Sequence, residues 1–506
     1  MHVAHETPAS LVERDAVETP VVLALDIGSS SARAALIDAR GRRLANSLMH
    51  IAYENDVVDS RYGSLDADEL THAVEQLLDQ ITKLAETRKI EIAGVGVSTF
   101  WHSLIGLDAQ RQPLTPVYSW ADIRSAAEAQ ELARRLDPDA YHARTGTLPH
   151  PSYPAAKLLW LQDAEPELYK KVERWVSFGE YLFLRLFGEA TASVSMASAT
   201  GLFDQKKLCW DEETLGAIDV DERRLSQIGD DPVIGLERDD AQRWPALVRA
   251  QWFPAYGDGA CANVGSGAIG PNRAGMSIGT SGAMRVLWAG EPVAPPDGLW
   301  LYRLDAKRVL LGGALSEGGN LFEWVSDRFK LPERDELARK VAAIAPDSHG
   351  LTWLPFLAGE RSPGWHANAR GTLSGLTMHT SPEAILRAGL EAIAYRFALI
   401  ANLLDDHLAE EHTIIGSGNA LINDHSWPQI MADALGHPLI ASTEPEASLR
   451  GAALTALERL NAFPNLEEVA TLALHDAEQY QPDTENHAIY ARAIERQREL
   501  YSRLMG

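Results

Sequence analysis

At 506 residues the chain is long enough for roughly two to four domains, and 45% hydrophobic with 23% charged residues is the balance of a globular protein with full cores. A formal net charge of −25 argues against a nucleic-acid partner, so any small anion must be met by a local cluster of Arg, Lys and His. Cys209 and Cys261 are the only cysteines and set no disulfide framework, and no apolar run nears the ~18 residues of a membrane helix, so a reducing cytoplasm without a membrane partner fits.

The first twenty residues carry acids and no apolar block, and read as a disordered leader rather than a signal peptide. LALDIGSSSARAALI (23–37) follows: an apolar run, an acid, a turn of small hydroxyl residues and a second apolar run. A carboxylate closing a buried strand costs stability unless it has a partner or a task, and a turn this small lets a ligand approach the backbone. Because the chain returns at once as a strand, the motif is neither a P-loop nor a dinucleotide loop, which need a helix after the glycines. Residues 66–88 read as a helix, with Asp66 and Glu69 at its start and Leu70, Val74, Leu77, Leu78, Ile81 and Leu84 on one face. A buried strand at 92–98 then leads into Trp101-His102. Strands first and then alternating helix and strand point to a mixed α/β sheet packed by helices.

The second half restarts the pattern. Asp26-Ile-Gly-Ser-Ser-Ser-Ala is matched by Ser277-Ile-Gly-Thr-Ser-Gly-Ala, which indicates an internal duplication. Two such hairpins facing each other would offer N–H groups and hydroxyls to one polyphosphate. Residues 412–442 read as strand, glycine turn, helix from Asp424 or His425 to Gly436, and strand, with Gly416 and Gly418 leaving space for a flat ring or marking only a tight turn. The sixteen histidines show no zinc spacing, and HLAEEH (407–412) reads as a solvated helix end.

DIGSSSAR, WADIR (120–124), GTSGA (279–283), GERSP (359–363) and GSGN (416–419), with SYPAAKLLWL (152–161) and the block at 370–395, occur in order. Together they resemble the FGGY carbohydrate kinases of the actin, hsp70 and sugar-kinase superfamily, over about residues 21–456. HARTGTLPHPSYPAAKLLWL and SVSMASATGLFD (193–204) are most similar to the gluconate kinase branch. The chain departs from that pattern at Ser29-Ser30-Ser31, where Thr is common, at Ala164, and at Ser316-Glu317, where asparagines are usual.

The resemblance implies two related ribonuclease H-like α/β domains, 21–267 for sugar and 268–506 for nucleotide, around a cleft. It implies ATP and Mg²⁺, with Asp26 beside the metal and phosphates held by Gly28, Ser29, Ser30, Ser31, Arg33, Gly279, Thr280, Ser281 and Gly282. Gly416, Gly418 and Asn419 would take the rest of the nucleotide. Asp258, in GDG, resembles the catalytic base, its flanking glycines leaving room for sugar; alone, a DG pair is most often a turn. Trp101, His102, Asp122, Arg124, His150 and Lys157 would contact the sugar beside Asp258, although Asp122 and Arg124 also suit a plain ion pair. Arg361 has no assigned role.

The expected reaction is phosphorylation of a sugar acid, D-gluconate at C6, with its carboxylate held by His102, Arg124, His150 and Lys157. A kinase for xylulose, ribulose or glycerol uses the same machinery with another pocket. A silent sugar-binding regulator should have lost Asp26 or Asp258, and a chaperone-like ATPase should carry a peptide-binding domain. The family admits a homodimer.

Overall fold

Runs of β-branched and aliphatic residues build two mixed sheets, one in each half of the chain. The computed structural model describes residues 11–53, 63–422 and 426–505. In the first sheet the strands run in the order Leu11–Val12, Arg43–Leu44, Ser31–Ile37, Val21–Ile27, Ile92–Thr99 and Gln251–Trp252. In the second the order is Trp300–Arg303, Arg308–Leu315, Gly282–Ala289, Arg273–Ile278, Thr413–Ser417, Leu439–Ala441 and Glu478–Tyr480. The duplication is visible as topology. Each sheet has a central antiparallel hairpin whose first strand also pairs in parallel with a later strand, Val21–Ile27 with Ile92–Thr99 and Arg273–Ile278 with Thr413–Ser417. The fold is therefore the two-domain α/β arrangement of the actin, hsp70 and sugar-kinase superfamily.

Helix Ala67–Arg88 forms where the apolar spacing places it. The Asp66 carboxylate caps it by accepting the Asp68 and Glu69 N–H groups, and Leu70, Val74, Leu77, Leu78 and Ile81 are buried beneath the first sheet. A third, smaller core between Leu104 and Leu225 forms a lobe on the first half.

Three expectations are corrected. Residues 11–20 of the expected leader are ordered: Leu11–Val12 pairs in parallel with Arg43–Leu44, and Glu18 binds Arg40. Residues 1–10 lie outside the described residues. HLAEEH begins where the turn Asp405–His407 closes the preceding helix and is exposed at Glu410 and Glu411, but His412 is buried and not solvated. The division at 267/268 follows the chain but not the packing, since helices Ala447–Arg459 and Leu466–Ala470 bury Leu449, Ala452, Leu454, Leu457 and Leu466 in the first core. The helix before Gly436 spans Trp427–Leu435, and the expected start at Asp424 or His425 falls outside the described residues.

Helix Ala447–Arg459 touches its neighbours backbone to backbone. A Cβ at Gly451 would lie 1.9 Å from the Cys261 carbonyl oxygen, one at Gly265 1.8 Å from that of Ala447, and one at Gly96 2.3 Å from that of Ala452. The first two contacts press it against helix Asp258–Ser266, and the third seats it on strand Ile92–Thr99. Arg450 fastens the crossing by donating to the carbonyls of Gly41, Gly265, Val469 and Ala470. Gly451→Ala must move a backbone and is expected to cost about 1–3 kcal/mol or more. Gly216→Ala, where a Cβ meets nothing within 4 Å inside helix Glu212–Ala217, should gain about 0.5–1 kcal/mol. Calorimetric midpoints of the two variants check the crossing; equal midpoints would refute it.

Candidate active site

Asp258 is the first residue of helix Asp258–Ser266, placed there by strand Tyr256–Gly257, which pairs with Ser98 and Thr99. A carboxylate at a helix N-terminus meets the positive end of the dipole, and Asp258 Oδ1 accepts the Gly259 N–H at 2.7 Å. Removal from water nevertheless pushes its pKa up to about 6; Arg285 pulls it down and Asp26 pushes it further up. The flanking glycines do not leave room for sugar, as their sequence setting suggests. A Cβ on Gly257 would sit 1.8 Å from the Trp101 indole, and one on Gly259 2.7 Å from that ring and 3.1 Å from Arg285 Nε. They admit Trp101 and Arg285 to the two sides of Asp258.

The two expected hairpins close in tight turns that differ by one residue, four residues between Ile27 and Ala32 and three between Ile278 and Gly282. Gly28 N–H donates to Ser31 O at 2.9 Å, and Gly279 N–H to Ser281 O at 3.0 Å. Ser29, Ser30, Gly279 and Thr280 are exposed, Ser281 is part-buried, and Ser31 and Gly282 are buried in their strands. Gly318 and Gly319 brace the second turn, with Gly319 N–H on Gly279 O at 2.7 Å and Asn320 N–H on Thr280 O at 3.2 Å. Asn419 is exposed next to Gly418, whose φ of +96° and closeness to the Ile278 carbonyl require glycine; Gly416 is buried under Leu421.

Asp26, Asp258 and Glu446 supply carboxylates around the first turn. Burial raises Asp26, against Ser98 and Arg33, and lifts Glu446 to about 7. Arg33 lies between Asp26 and Glu446, 3.4 Å from each. The set is oxygen-only and short of positive charge, which suits a hard divalent cation. Among the described residues it does not close into a protein cage, so phosphate oxygens and waters would complete the shell, as Mg²⁺ prefers.

The sugar-end residues divide. Trp101, His102 and His150 converge in an aromatic nest with Tyr153, Tyr302 and Trp365. His102 lies 4.9 Å from Tyr153 and 5.6 Å from Tyr302, His150 lies 4.9 Å from Trp365, and the two tyrosine hydroxyls bond at 2.7 Å. His102 holds a left-handed backbone, φ +65°, and its Nδ1 meets Ala199 O at 2.6 Å. Burial, helped by Lys157 and Arg361, lowers the pKa of both imidazoles to about 3, so they are neutral. Lys157 is buried on the Ser152 carbonyl with its pKa lowered to about 7. Asp122 and Arg124 form a two-pronged pair at 2.5–3.2 Å, with the guanidinium 4.7 Å from the Trp160 ring. That Arg is committed to its neighbours.

The expected basic quartet is therefore not the local cation source. Two arginines take that place. Arg285, opposite Gly275 in the second hairpin, donates Nη1 to Ser277 Oγ at 3.2 Å and leaves Nε buried without a partner. Arg361 donates Nη2 to Leu315 O at 2.9 Å, faces Trp120 at 5.5 Å, and also leaves Nε unpartnered. Burial lowers both, Arg285 to about 10. Position 361 stood inside a recognised motif without a role, whereas position 285 gave no signal beyond an Arg inside an apolar strand.

The FGGY family of carbohydrate kinases, N-terminal domain, matches residues 21–234, and its C-terminal domain matches 274–458. The gluconokinase of Bacillus subtilis (strain 168) is 28% identical over 473 residues, 90% of each chain. The glycerol kinase of Thermococcus onnurineus (strain NA1) is 30% identical over 474 residues, 89% of this chain and 91% of its own. The crystal structure of gluconate kinase from Lactobacillus acidophilus superposes with a TM-score of 0.87 at 26% identity, over 96% of this chain and 98% of that one.

Gly279 offers a clean probe of the second turn, because a Cβ there meets nothing within 4 Å. Gly279→Val is expected to unfold like the parent yet weaken ATP about tenfold or more by blocking approach to the backbone. Calorimetric titration with ATP checks this; unchanged affinity would remove the turn from phosphate binding.

Proposed function

The chain belongs to the FGGY family of carbohydrate kinases, and within that family we propose that it transfers the γ-phosphoryl group of ATP to the C6 hydroxyl of D-gluconate. The observation that carries the reading is the placement of Asp258: a carboxylate with a pKa near 6, beside Asp26 and Arg285, between the phosphate turns and the aromatic nest.

Asp258 accepts the proton of the attacking hydroxyl. A pKa of about 6 keeps it ionised at neutral pH while making it a far better acceptor than an ordinary Asp. Trp101 presents an indole beside it, fixed by Nε1–H donation to Ser195 O at 3.0 Å, which holds the sugar face in line. Neutral His102 and His150 serve hydroxyl groups. The unpartnered Nε of Arg361 lies among these rings and meets the sugar carboxylate, while Arg285 faces the charge that spreads over the phosphoryl group in flight. The two serine and threonine turns hold the phosphates from both sides. Asp26 would hold Mg²⁺ beside those phosphates, and the ion would supply charge neutralisation there.

Asp258→Asn is expected to lower turnover by about 10²-fold or more with ATP binding kept. The parent rate should fall tenfold per pH unit below about 6 as Asp258 protonates, a limb absent from the residual rate of the variant. The stability effect has the opposite sign. A raised carboxylate pKa costs the fold stability above it, so the Asn variant should be more stable by roughly 1–3 kcal/mol above pH 6 and by nothing below pH 4. Near-normal turnover would exclude Asp258 as the base.

D-gluconate should exceed xylulose, ribulose and glycerol about tenfold or more in kcat/KM, since a neutral substrate leaves Arg361 poorly paired. Arg361→Met should raise KM for gluconate selectively and narrow that gap. A neutral ketose or polyol as the best substrate would overturn the gluconate reading and leave the family assignment in place.

A further inference from the structure

A second group of metal-ligating side chains lies at the opposite end of the second sheet from the nucleotide turn. Asp405 follows helix Pro382–Leu404, His412 precedes strand Thr413–Ser417, and His437 precedes strand Leu439–Ala441. One ligand atom from each lies within 4.8 Å of the others, and the site is empty. The parallel pairing of Ile414 with Leu439, and the Ile414 N–H bond to Pro438 O at 2.8 Å, set the two histidines side by side.

His412 is the informative member. Its Nδ1 lies 2.9 Å from Ala409 O, and a carbonyl can only accept, so Nδ1 carries the proton and Nε2 the lone pair. That Nε2 is buried and has no hydrogen-bond partner, although the residue is only 6% exposed. A metal-binding imidazole is held in this way, its far nitrogen donating to a backbone carbonyl. The Ala409 carbonyl is itself held, since the Ala409 N–H donates to Pro271 O at 2.7 Å.

The other histidine–acid group, Asp347, His349 and Glu391, shows the contrast. There His349 Nε2 bonds Glu391 Oε2 at 2.9 Å, and the same carboxylate also serves Arg387, Tyr395 and Tyr490, so its lone pairs are spent in a structural network.

We propose that Asp405, His412 and His437 bind one zinc-class divalent ion, separate from the Mg²⁺ of the phosphate site. Two imidazoles and one carboxylate are borderline ligands that Mg²⁺ passes over, and the exposed side of Asp405 leaves a fourth position for water. Metal–ligand bonds of about 2.0–2.1 Å bring ligand atoms to about 3.3 Å from each other, so the group must contract by up to about 1.5 Å. The His437 ring, part-buried and tilted 32° to that of His412 at a centroid distance of 3.9 Å, turns to do so. The ion would tie the end of helix Pro382–Leu404 to two central strands of the nucleotide half.

The test uses the untagged full chain after chelator treatment, titrated with Zn²⁺ against a chromogenic chelator and followed by thermal melting. The parent should take up about one equivalent and melt at a higher temperature with Zn²⁺, and Co²⁺ should give the visible bands of a low-coordinate site. His437→Gln and Asp405→Asn, at part-buried and exposed positions, should melt like the metal-free parent and bind Zn²⁺ at least about 10–100-fold more weakly. Absence of stoichiometric uptake by the parent, or equal affinity in both variants, overturns the proposal.

Discussion

The crossing of helices Asp258–Ser266 and Ala447–Arg459 is the constraint on which the other features depend. Glycines at 265 and 451 let two backbones meet where any side chain would collide with a carbonyl, and Gly96 lets the same helix lie on the first sheet. Close-packed backbone transmits displacement, because no side chain is present to absorb it. Asp258 begins one of these helices, and Glu446, which faces Arg33, immediately precedes the other. The positions of Asp258 and Glu446 are therefore coupled through one contact. Arg450 is buried there on four carbonyls, with the Glu444 carboxylate 3.9 Å from its Nε, and closes the geometry.

Against this rigid frame the site is electrostatically unfinished. Asp26, Asp258 and Glu446 are all raised by burial, and Arg33 and Arg285 are too few to offset them. Beside the aromatic nest the imbalance has the opposite sign: Arg361 lies near neutral imidazoles and phenols, with its own pKa lowered by burial. A chain of net charge −25 thus gathers buried carboxylates around the first turn and buries Arg361 beside the aromatic nest. Such groups cost stability in the free protein and are repaid when ligands of the opposite sign arrive.

The hairpins, the long helix and the duplicated half were legible because each leaves a local signature: period-2 apolar runs around small-residue turns, and an Asp cap before a 3.6-residue stripe. What stayed hidden was non-local. WADIR announces Asp122 and Arg124, yet only the fold shows Arg124 spent on Asp122 and Trp160. Arg285 looks like one polar residue in an apolar strand until Gly259 admits it beside Asp258. His102 and His150 look like cations until the aromatic nest removes their water. Gly451 and Gly265 look like weak points in helices, and their meaning lies in Cys261 and Ala447, each on the other helix and far away along the chain.

The two halves are joined a second time, and this limits how they can move. Strand Trp300–Arg303 of the second sheet docks on the lobe of the first half: Leu301 N–H donates to Gly146 O at 2.8 Å and Arg303 N–H to Ser198 Oγ at 2.9 Å. Nearby, His142 Nε2 meets Leu299 O at 2.8 Å, and the Tyr153–Tyr302 pair spans the same seam. The Tyr153–Tyr302 contact at this seam means that the aromatic nest is built from both halves of the chain, and it holds its shape only while they stay docked there.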